Sequence, residues 1–411
     1  MQRSLILGKG VSGKGAGELL KGLGFQVEYF EDGESFPEVS SFDFVVKSPG
    51  FPPWHRVVKE VKERKVPVYG EVELAYRFMK GRIVGITGTN GKSTTTALVY
   101  HTLKTSGREA FIGGNYGTPA SSFALETSRS SISVLELSSF QIEDLTSFRG
   151  EVGAILNVTP DHLDRYPSFK DYLRAKLKAL KHFDWLVVNG DDPNLSSLKG
   201  EGVVEFGRSS GEFRLEGSHL SGNGVKIDVK ELPLKGIHNV ENYLCALSVL
   251  RVLGLSEEEI FKGFKTFKGL PHRTEVVGRV RNVLFINDSK STNVDSMAKA
   301  LLSFERVVLI AGGKDKGLDF KVLSPIVKER VKGVVSIGEA APLIEESFSP
   351  LVKVKRAESM DEAVRLAFSM ASSGDVVLLS PGCASFDMFK NYADRGKAFK
   401  RAVRKLEEEV G

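Results

Sequence analysis

Short apolar runs alternate with longer amphipathic segments along almost the whole chain. Runs such as Ser4-Leu5-Ile6-Leu7, Val307-Val308-Leu309-Ile310 and Val376-Val377-Leu378-Leu379 are too short for helices, and they end at polar or glycine-containing loops. They read as strands buried on both faces. The segments between them carry helical periodicity. Strands alternating with helices predict α/β domains built on mainly parallel sheets. Such sheets bind ligands beyond the carboxyl ends of their strands, so the loops after the strands are where chemistry is expected.

The pattern divides into three blocks, residues 1–80, 81–268 and 269–411. In the first, residues 4–7 predict a strand, Gly8-Lys9-Gly10-Val11-Ser12-Gly13 a glycine turn, and residues 16–23 a helix. Residues 27–30 form a second strand, ending at Glu31 and Asp32, and residues 44–46 a third, running into Ser48-Pro49-Gly50. This is a small Rossmann-like unit. Its glycine turn suits either a ligand site or a merely tight strand–helix turn, and the pattern leaves both open. The second block has strands at 82–87, 133–137, 153–157 and 185–188, then a β-rich excursion over 203–229 and closing helices. The third has strands at 283–286, 307–310, 334–337 and 376–379, another open Rossmann-like sheet.

Composition narrows the partners. Of 411 residues, 41% are hydrophobic and 27% charged, so each block can bury a core. A net charge of +5 on so long a chain is too weak to argue for nucleic acid. Cys245 and Cys383 form no CxxC pair, which speaks against a disulfide framework or a zinc knuckle. The first residues lack the apolar core of a signal peptide, and no run reaches the roughly 20 apolar residues of a membrane span. The expectation is a cytosolic protein with free thiols and no membrane insertion.

The sharpest motif is Gly88-Thr89-Asn90-Gly91-Lys92-Ser93-Thr94, between a strand and a helix. Successive backbone N–H groups and a helix N-terminus make an anion nest there. Lys92 can reach β/γ-phosphates and the Ser93 hydroxyl can ligate Mg²⁺. The strict P-loop pattern places glycine at position 86, where this chain has Ile86, so the motif is a variant. Glu136 ends an apolar strand, a place where a carboxylate suits an acidic metal ligand of a P-loop enzyme. His162, in Pro160-Asp161-His162-Leu163-Asp164, is either a structural histidine or a second metal ligand, and spacing decides neither.

Residues 170–181 predict a helix. At about 100° per residue, Tyr172, Leu173, Leu177, Ala179 and Leu180 share one face. Lys176 alone among the charges points into the middle of that face. A snorkelling lysine is one reading. The other is a desolvated amine of lowered pKa, which can take up CO₂ as a carbamate. In the third block, Asn287-Asp288-Ser289-Lys290-Ser291-Thr292-Asn293, Gly312-Gly313-Lys314-Asp315-Lys316-Gly317 and Ser380-Pro381-Gly382-Cys383-Ala384-Ser385-Phe386-Asp387 each follow a strand. With Arg273 they gather cations and hydroxyls suited to a substrate with two carboxylates.

These strings resemble the Mur ligase family across essentially the whole chain. The resemblance is carried by the variant P-loop, Leu135-Glu136-Leu137-Ser138-Ser139-Phe140-Gln141, residues 157–165, Gly236-Ile237-His238-Asn239-Val240-Glu241-Asn242, Pro271-His272-Arg273, and the third-block loops. It implies three domains: a Rossmann-like N-terminal one, a central P-loop ATPase-type one, and a Rossmann-like C-terminal one. Similarity is greatest to members that add D-glutamate to UDP-N-acetylmuramoyl-L-alanine, through an acyl-phosphate, in peptidoglycan precursor synthesis. The cofactors implied are ATP and two Mg²⁺ ions.

Gly88 to Thr94, Asn239, Asn242, Arg273 and Asp288 would then bind ATP, with Lys92, His162 and Lys176 catalytic. Ser93 and Glu136 would hold one Mg²⁺, and His162 with carbamylated Lys176 the other. Ser12, Gly13, Asp32 and Gly50 would hold the UDP moiety and Asn115 the rest of that substrate. Lys290, Thr292, Lys316, Ser385 and Phe386 would bind D-glutamate. The enzyme would be a cytoplasmic monomer serving cell-wall biogenesis, cell shape and cell division. Tyr116, Phe386 and Tyr392 depart from residue types common in the family. A sibling ligase for another amino acid, a folate polyglutamate ligase and a non-catalytic nucleotide-binding module are the rivals. The Asp-Asn-Pro-Arg string expected of the diaminopimelate-adding sibling is absent from the sequence.

Overall fold

The computed structural model describes residues 2–162, 165–315, 317 and 319–410. Lys316, assigned above to amino-acid binding, lies outside them. Strands β1 (Arg3–Leu7), β2 (Gln26–Phe30), β3 (Phe44–Lys47) and β4 (Val68–Gly70) make a wholly parallel sheet in the order β2-β1-β3-β4. Leu5, Ile6 and Leu7 of central β1 are all buried, as a strand covered on both faces requires. The first helix runs Val11–Gly22, not from Ala16 as the sequence suggested. Ser12 and Gly13 therefore sit in its first turn. A Cβ on Gly13 would lie 1.9 Å from the Gly8 carbonyl oxygen, so only glycine lets the chain enter a helix this soon after β1.

The second sheet contains β5 (Arg82–Thr87), β6 (Ala110–Gly114), β7 (Ile132–Glu136), β8 (Gly150–Ile155), β9 (Phe183–Asn189), β10 (Val203–Gly207), β11 (Phe213–Glu216), β12 (His219–Gly222) and β13 (Val225–Asp228). Among the described residues its order is β13-β12-β11-β10-β9-β8-β5-β7-β6. Only the β11–β12 and β12–β13 pairs are antiparallel; they form the excursion expected over 203–229. The chain leaves β5 towards β7 and β6, then returns to β8 on the other side. The carboxyl end of β5 is thus the point where strand order reverses, the usual ligand crevice of such sheets.

One apolar cluster joins these two sheets, from Ile6, Leu20 and Val46 to Leu135, Leu137 and Phe148. Buried carboxylates pin the same junction. Glu73 accepts from the amides of Thr146, Ser147 and Phe148, and Glu71 from the Ser121 amide and hydroxyl. Lys47 and Asp144 pair at 2.7 Å. Residues 1–233 and 239–267 accordingly form one compact unit, and residues 234–238 and 268–411 another.

The second unit carries β14 (Glu275–Val280), β15 (Val283–Asn287), β16 (Val307–Gly312), β17 (Val331–Ile337), β18 (Lys353–Ala357) and β19 (Val376–Leu379), in the order β14-β15-β19-β16-β17-β18. Among the described residues only β14 is antiparallel to its neighbour. The edge strand β18 escaped the sequence reading because an edge needs few apolar residues: it reads Lys-Val-Lys-Arg-Ala. Edge strand β14 was also missed; it reads Glu-Val-Val-Gly-Arg-Val, with a glycine and an arginine interrupting its apolar run. The expected helix over 170–181 spans only Phe169–Leu177, followed by a 3₁₀ turn at Lys178–Lys181. No described helix is long and apolar enough to cross a membrane.

Candidate active site

The loop after β5 leads directly into the helix Lys92–Thr105. Gly91 takes φ +85°, and a Cβ there would stand 2.3 Å from Asn242 Oδ1. The turn is braced from the loop after β8: Asn157 Oδ1 accepts from the Asn90 amide at 2.8 Å, and Asn157 Nδ2 donates to Asn90 O at 3.1 Å. The Thr89 hydroxyl donates to Thr159 O at 3.1 Å and lies 3.1 Å from the Tyr172 hydroxyl. Asn242 stands beside Gly91, and its Nδ2 donates to Asn239 Oδ1 at 3.1 Å, which joins the two predicted nucleotide residues. Ser93 and Thr94 are buried in the first helical turn. Sequence reasoning quoted Asn157 and Tyr172 without giving either a role. Their bracing bonds to residues 67 and 83 positions away leave no local trace.

Two lysine amines converge on one oxygen. Lys92 Nζ donates to Gly88 O and Thr89 O, each at 2.9 Å, and Lys176 Nζ donates to the same Gly88 O at 2.8 Å. Lys176 is only 1% exposed. Burial first, and the Lys92 charge second, hold its amine well below the usual lysine range; Asp161 and Glu136 oppose the shift more weakly. The snorkelling reading is thereby excluded: the helix aims Lys176 inward. A neutral amine is a nucleophile, as carbamate formation requires.

Glu136, at the end of β7, is 2% exposed. Its Oε1 accepts from Asn115 Nδ2 at 2.6 Å, while its buried Oε2 has no hydrogen-bond partner among the described residues. A buried carboxylate oxygen without a donor is costly unless a cation meets it, so this residue fits a Mg²⁺ ligand. His162, at φ +53°, is about half exposed, and its ring meets the edge of Phe140 at 5.0 Å. No three His, Cys, Asp or Glu side chains cluster for a metal among the described residues. Any two-ion site here depends on the Ser93 hydroxyl and on modification of Lys176.

A cavity of about 610 Å³ opens between the β1 and β3 loops on one side and the β6 loop on the other. Ser12, Asp32, Gly50 and Asn115 all line it, with Gln141 at one wall. Gly13 does not line it: it packs behind the wall against Gly8. Asp32 Oδ1 is 3.1 Å from His55 Nε2, and His55 Nδ1 accepts from the Val57 amide, which leaves Nε2–H as the donor to Asp32.

In the second unit β15, β19 and β16 are neighbours, so the loops 287–293, 380–387 and 312–315 meet at one sheet edge. Asp288 is buried and accepts from the Thr274 amide and from the Ser291 and Ser380 hydroxyls. Desolvation outweighs these bonds and raises its carboxyl to about 6. Lys290 lies 4.0 Å over the Tyr392 ring. Ser385 is buried, Thr292 half-buried and Phe386 68% exposed. Arg395, missed from sequence, is the centre of this edge. At 1% exposure it donates to the Ser289 hydroxyl and to the carbonyls of Ser289, Gly312, Ala384 and Cys383. The signal available was Gly396 beside it, a glycine inside a long helix pattern; a Cβ there would stand 2.2 Å from His272 Nδ1.

Fold and site together define an α/β protein with a variant P-loop at the reversal point of its central sheet. The Mur ligase middle domain model matches residues 86–250, and the Mur ligase glutamate ligase domain model residues 272–383. A relative from Aquifex aeolicus (strain VF5), named UDP-N-acetylmuramoylalanine–D-glutamate ligase, is 41% identical, covering 97% of this chain and 98% of its own. Another of the same name, from Trichlorobacter lovleyi, is 41% identical over 90% of this chain and 86% of its own. The chain belongs to the Mur ligase family. Solved structures share its fold: the UDP-N-acetylmuramate-alanine ligase MurC from Thermotoga maritima (TM-score 0.67, 20% identity, 100% of both chains), and the MurF ligase from Thermotoga maritima in complex with ADP (TM-score 0.64, 18% identity, 90% of each).

Proposed function

We propose that this chain is an ATP-dependent amide ligase that joins D-glutamate to UDP-N-acetylmuramoyl-L-alanine in peptidoglycan precursor synthesis. The observation that carries this reading is full-length relatedness to proteins named for that activity. Residues 1–80 are the UDP-substrate domain, 81–268 the ATP domain and 269–411 the amino-acid domain. The substrate carboxylate attacks the ATP γ-phosphate, ADP leaves, and the D-glutamate amine displaces phosphate from the acyl-phosphate to form the amide.

The residues divide this work. The 88–94 loop cradles the phosphates, and Lys92 exchanges its two carbonyl partners for phosphate oxygens as charge builds. Asn115 holds the substrate and, through Glu136 Oε1, fixes that carboxylate's orientation. Ser93 and Glu136 would hold one Mg²⁺, and His162 with a carbamylated Lys176 the other. When bound, these ions offset negative charge on the phosphoryl group. Burial lowers the proton affinity of the Lys176 amine, which favours its uptake of CO₂ as a carbamate. Asn239, Asn242, Arg273 and Asp288 are assigned to the nucleotide, and Lys290, Thr292, Lys316, Ser385 and Phe386 to D-glutamate. The enzyme works in the cytoplasm as a monomer, where ATP and UDP-linked sugars are available.

The test is phosphate release with Mg²⁺-ATP, bicarbonate and UDP-N-acetylmuramoyl-L-alanine, comparing D-glutamate with L-glutamate, L-alanine, L-lysine and diaminopimelate. Release with D-glutamate alone, with the matching product mass, is expected. Release with another amino acid overturns the third-block assignment. No release with any of them, from folded protein, overturns the ligase reading.

A further inference from the structure

Arg165 has no part in the steps above. The His162 carbonyl accepts from the amides of Arg165 at 3.0 Å and Tyr166 at 2.9 Å. The Arg165 guanidinium lies 3.6 Å from the centre of the Phe140 ring and 6.0 Å from that of Trp54. Its Nη1 donates to the carbonyl oxygen of Pro49 at 3.0 Å. Pro49 belongs, with Ser48, Gly50 and Phe51, to the wall of the 610 Å³ cavity. Phe140 precedes Gln141, another wall residue, and its ring packs 5.0 Å from His162. One side chain thus reaches from the β3 loop to the aromatic that seats His162. Only a planar guanidinium can stack on a ring and donate in its own plane at once.

We propose that Arg165 is a positioning residue for the UDP-linked substrate: it ties the Pro49 wall of the cavity to the Phe140–His162 pair, keeping a substrate seated on that wall in register with the reacting centre. This rests on the ligase reading above. Spending a charged donor on a loop carbonyl stiffens that loop, and catalysis is sensitive to such placement.

The experiment compares wild type with Arg165→Ala and Arg165→Lys in the full chain. It measures KM for each substrate separately, kcat, and amide hydrogen exchange over residues 47–52. Loss of one charged hydrogen bond and one cation–π contact should raise KM for the UDP-linked substrate about tenfold. It should also lower kcat, leave KM for ATP and D-glutamate within about twofold, and speed exchange at the Pro49 loop. Lysine, able to stack or donate but not both, should recover only part. The proposal is overturned if Arg165→Ala lowers only the unfolding midpoint, if all three KM values rise together, or if lysine restores full function. An inactive wild type would sink the ligase reading instead. Exchange and calorimetric binding of UDP then decide the proposal: both altered by Arg165→Ala supports it, either unchanged overturns it.

Discussion

Lys176 in one unit and Arg395 in the other are each only 1% exposed, and the two are treated in opposite ways. Among the described residues Lys176 has a single hydrogen bond, to Gly88 O, which Lys92 also engages. Arg395 makes five, to carbonyls and a hydroxyl drawn from three loops. Burial depresses both, Lys176 far below its ordinary range and Arg395 only to about 10, so the guanidinium stays charged near neutral pH. An under-satisfied amine is a reactive group, whereas a fully bonded guanidinium is a fastener. The contrast separates chemistry from architecture more sharply than either residue's burial does.

The comparison is broken most directly at Lys176. Lys176→Met should reduce phosphate release about a thousandfold, as expected for loss of a transition-state electrostatic group. Gly88 O keeps its Lys92 bond, so the urea midpoint should not fall. A large drop in midpoint would make Lys176 a fastener after all. Arg395→Met should do the reverse: it strands several buried acceptors and should cost about 3–5 kcal/mol in urea unfolding. Unchanged stability would end the contrast.

Asp288 sharpens it with pH. Its folded value of about 6 exceeds the unfolded 3.8, so the folded state holds the proton longer. Stability is greatest below the unfolded value and falls as pH rises through about 6. Relative to Asp288→Asn, wild type should lose on the order of 2–3 kcal/mol between about pH 3.5 and pH 7, followed by denaturant titration at each pH. A flat difference would mean that Asp288 is ionised in the fold.

Gly13→Ala tests the close approach behind the cavity wall. It should cost about 1–3 kcal/mol and weaken UDP binding, read by unfolding and calorimetry. The smallest effect is expected at Arg365, an exposed cation paired with Glu409 at 2.7 Å. Arg365→Met should leave the midpoint within error, since such pairs are solvated and screened.

Lys176 was legible because a charge in the middle of a helix's apolar face breaks a local period. The P-loop was legible because its glycines, lysine and hydroxyls are contiguous. Arg395 was not: in the helix Tyr392–Val410 it is one basic residue among several, and its Ser289 partner is 106 residues away. Asn157, Tyr172 and Arg165 stayed without roles for the same reason.

By itself the sequence determined the alternation of strands and helices, the glycine turn at 88–94, and the place of Lys176 on an apolar helix face, while leaving open whether its amine turned inward. All of these follow from periodicity and backbone freedom within a few residues. Only the tertiary structure decided that β15, β19 and β16 stand side by side, that Glu136 keeps a partnerless oxygen beside Asn115, and that Arg395 binds three loops together. Those outcomes depend on strand order and on which buried polar groups find partners, and a buried group's energy is set by neighbours that the chain brings in from far along its length.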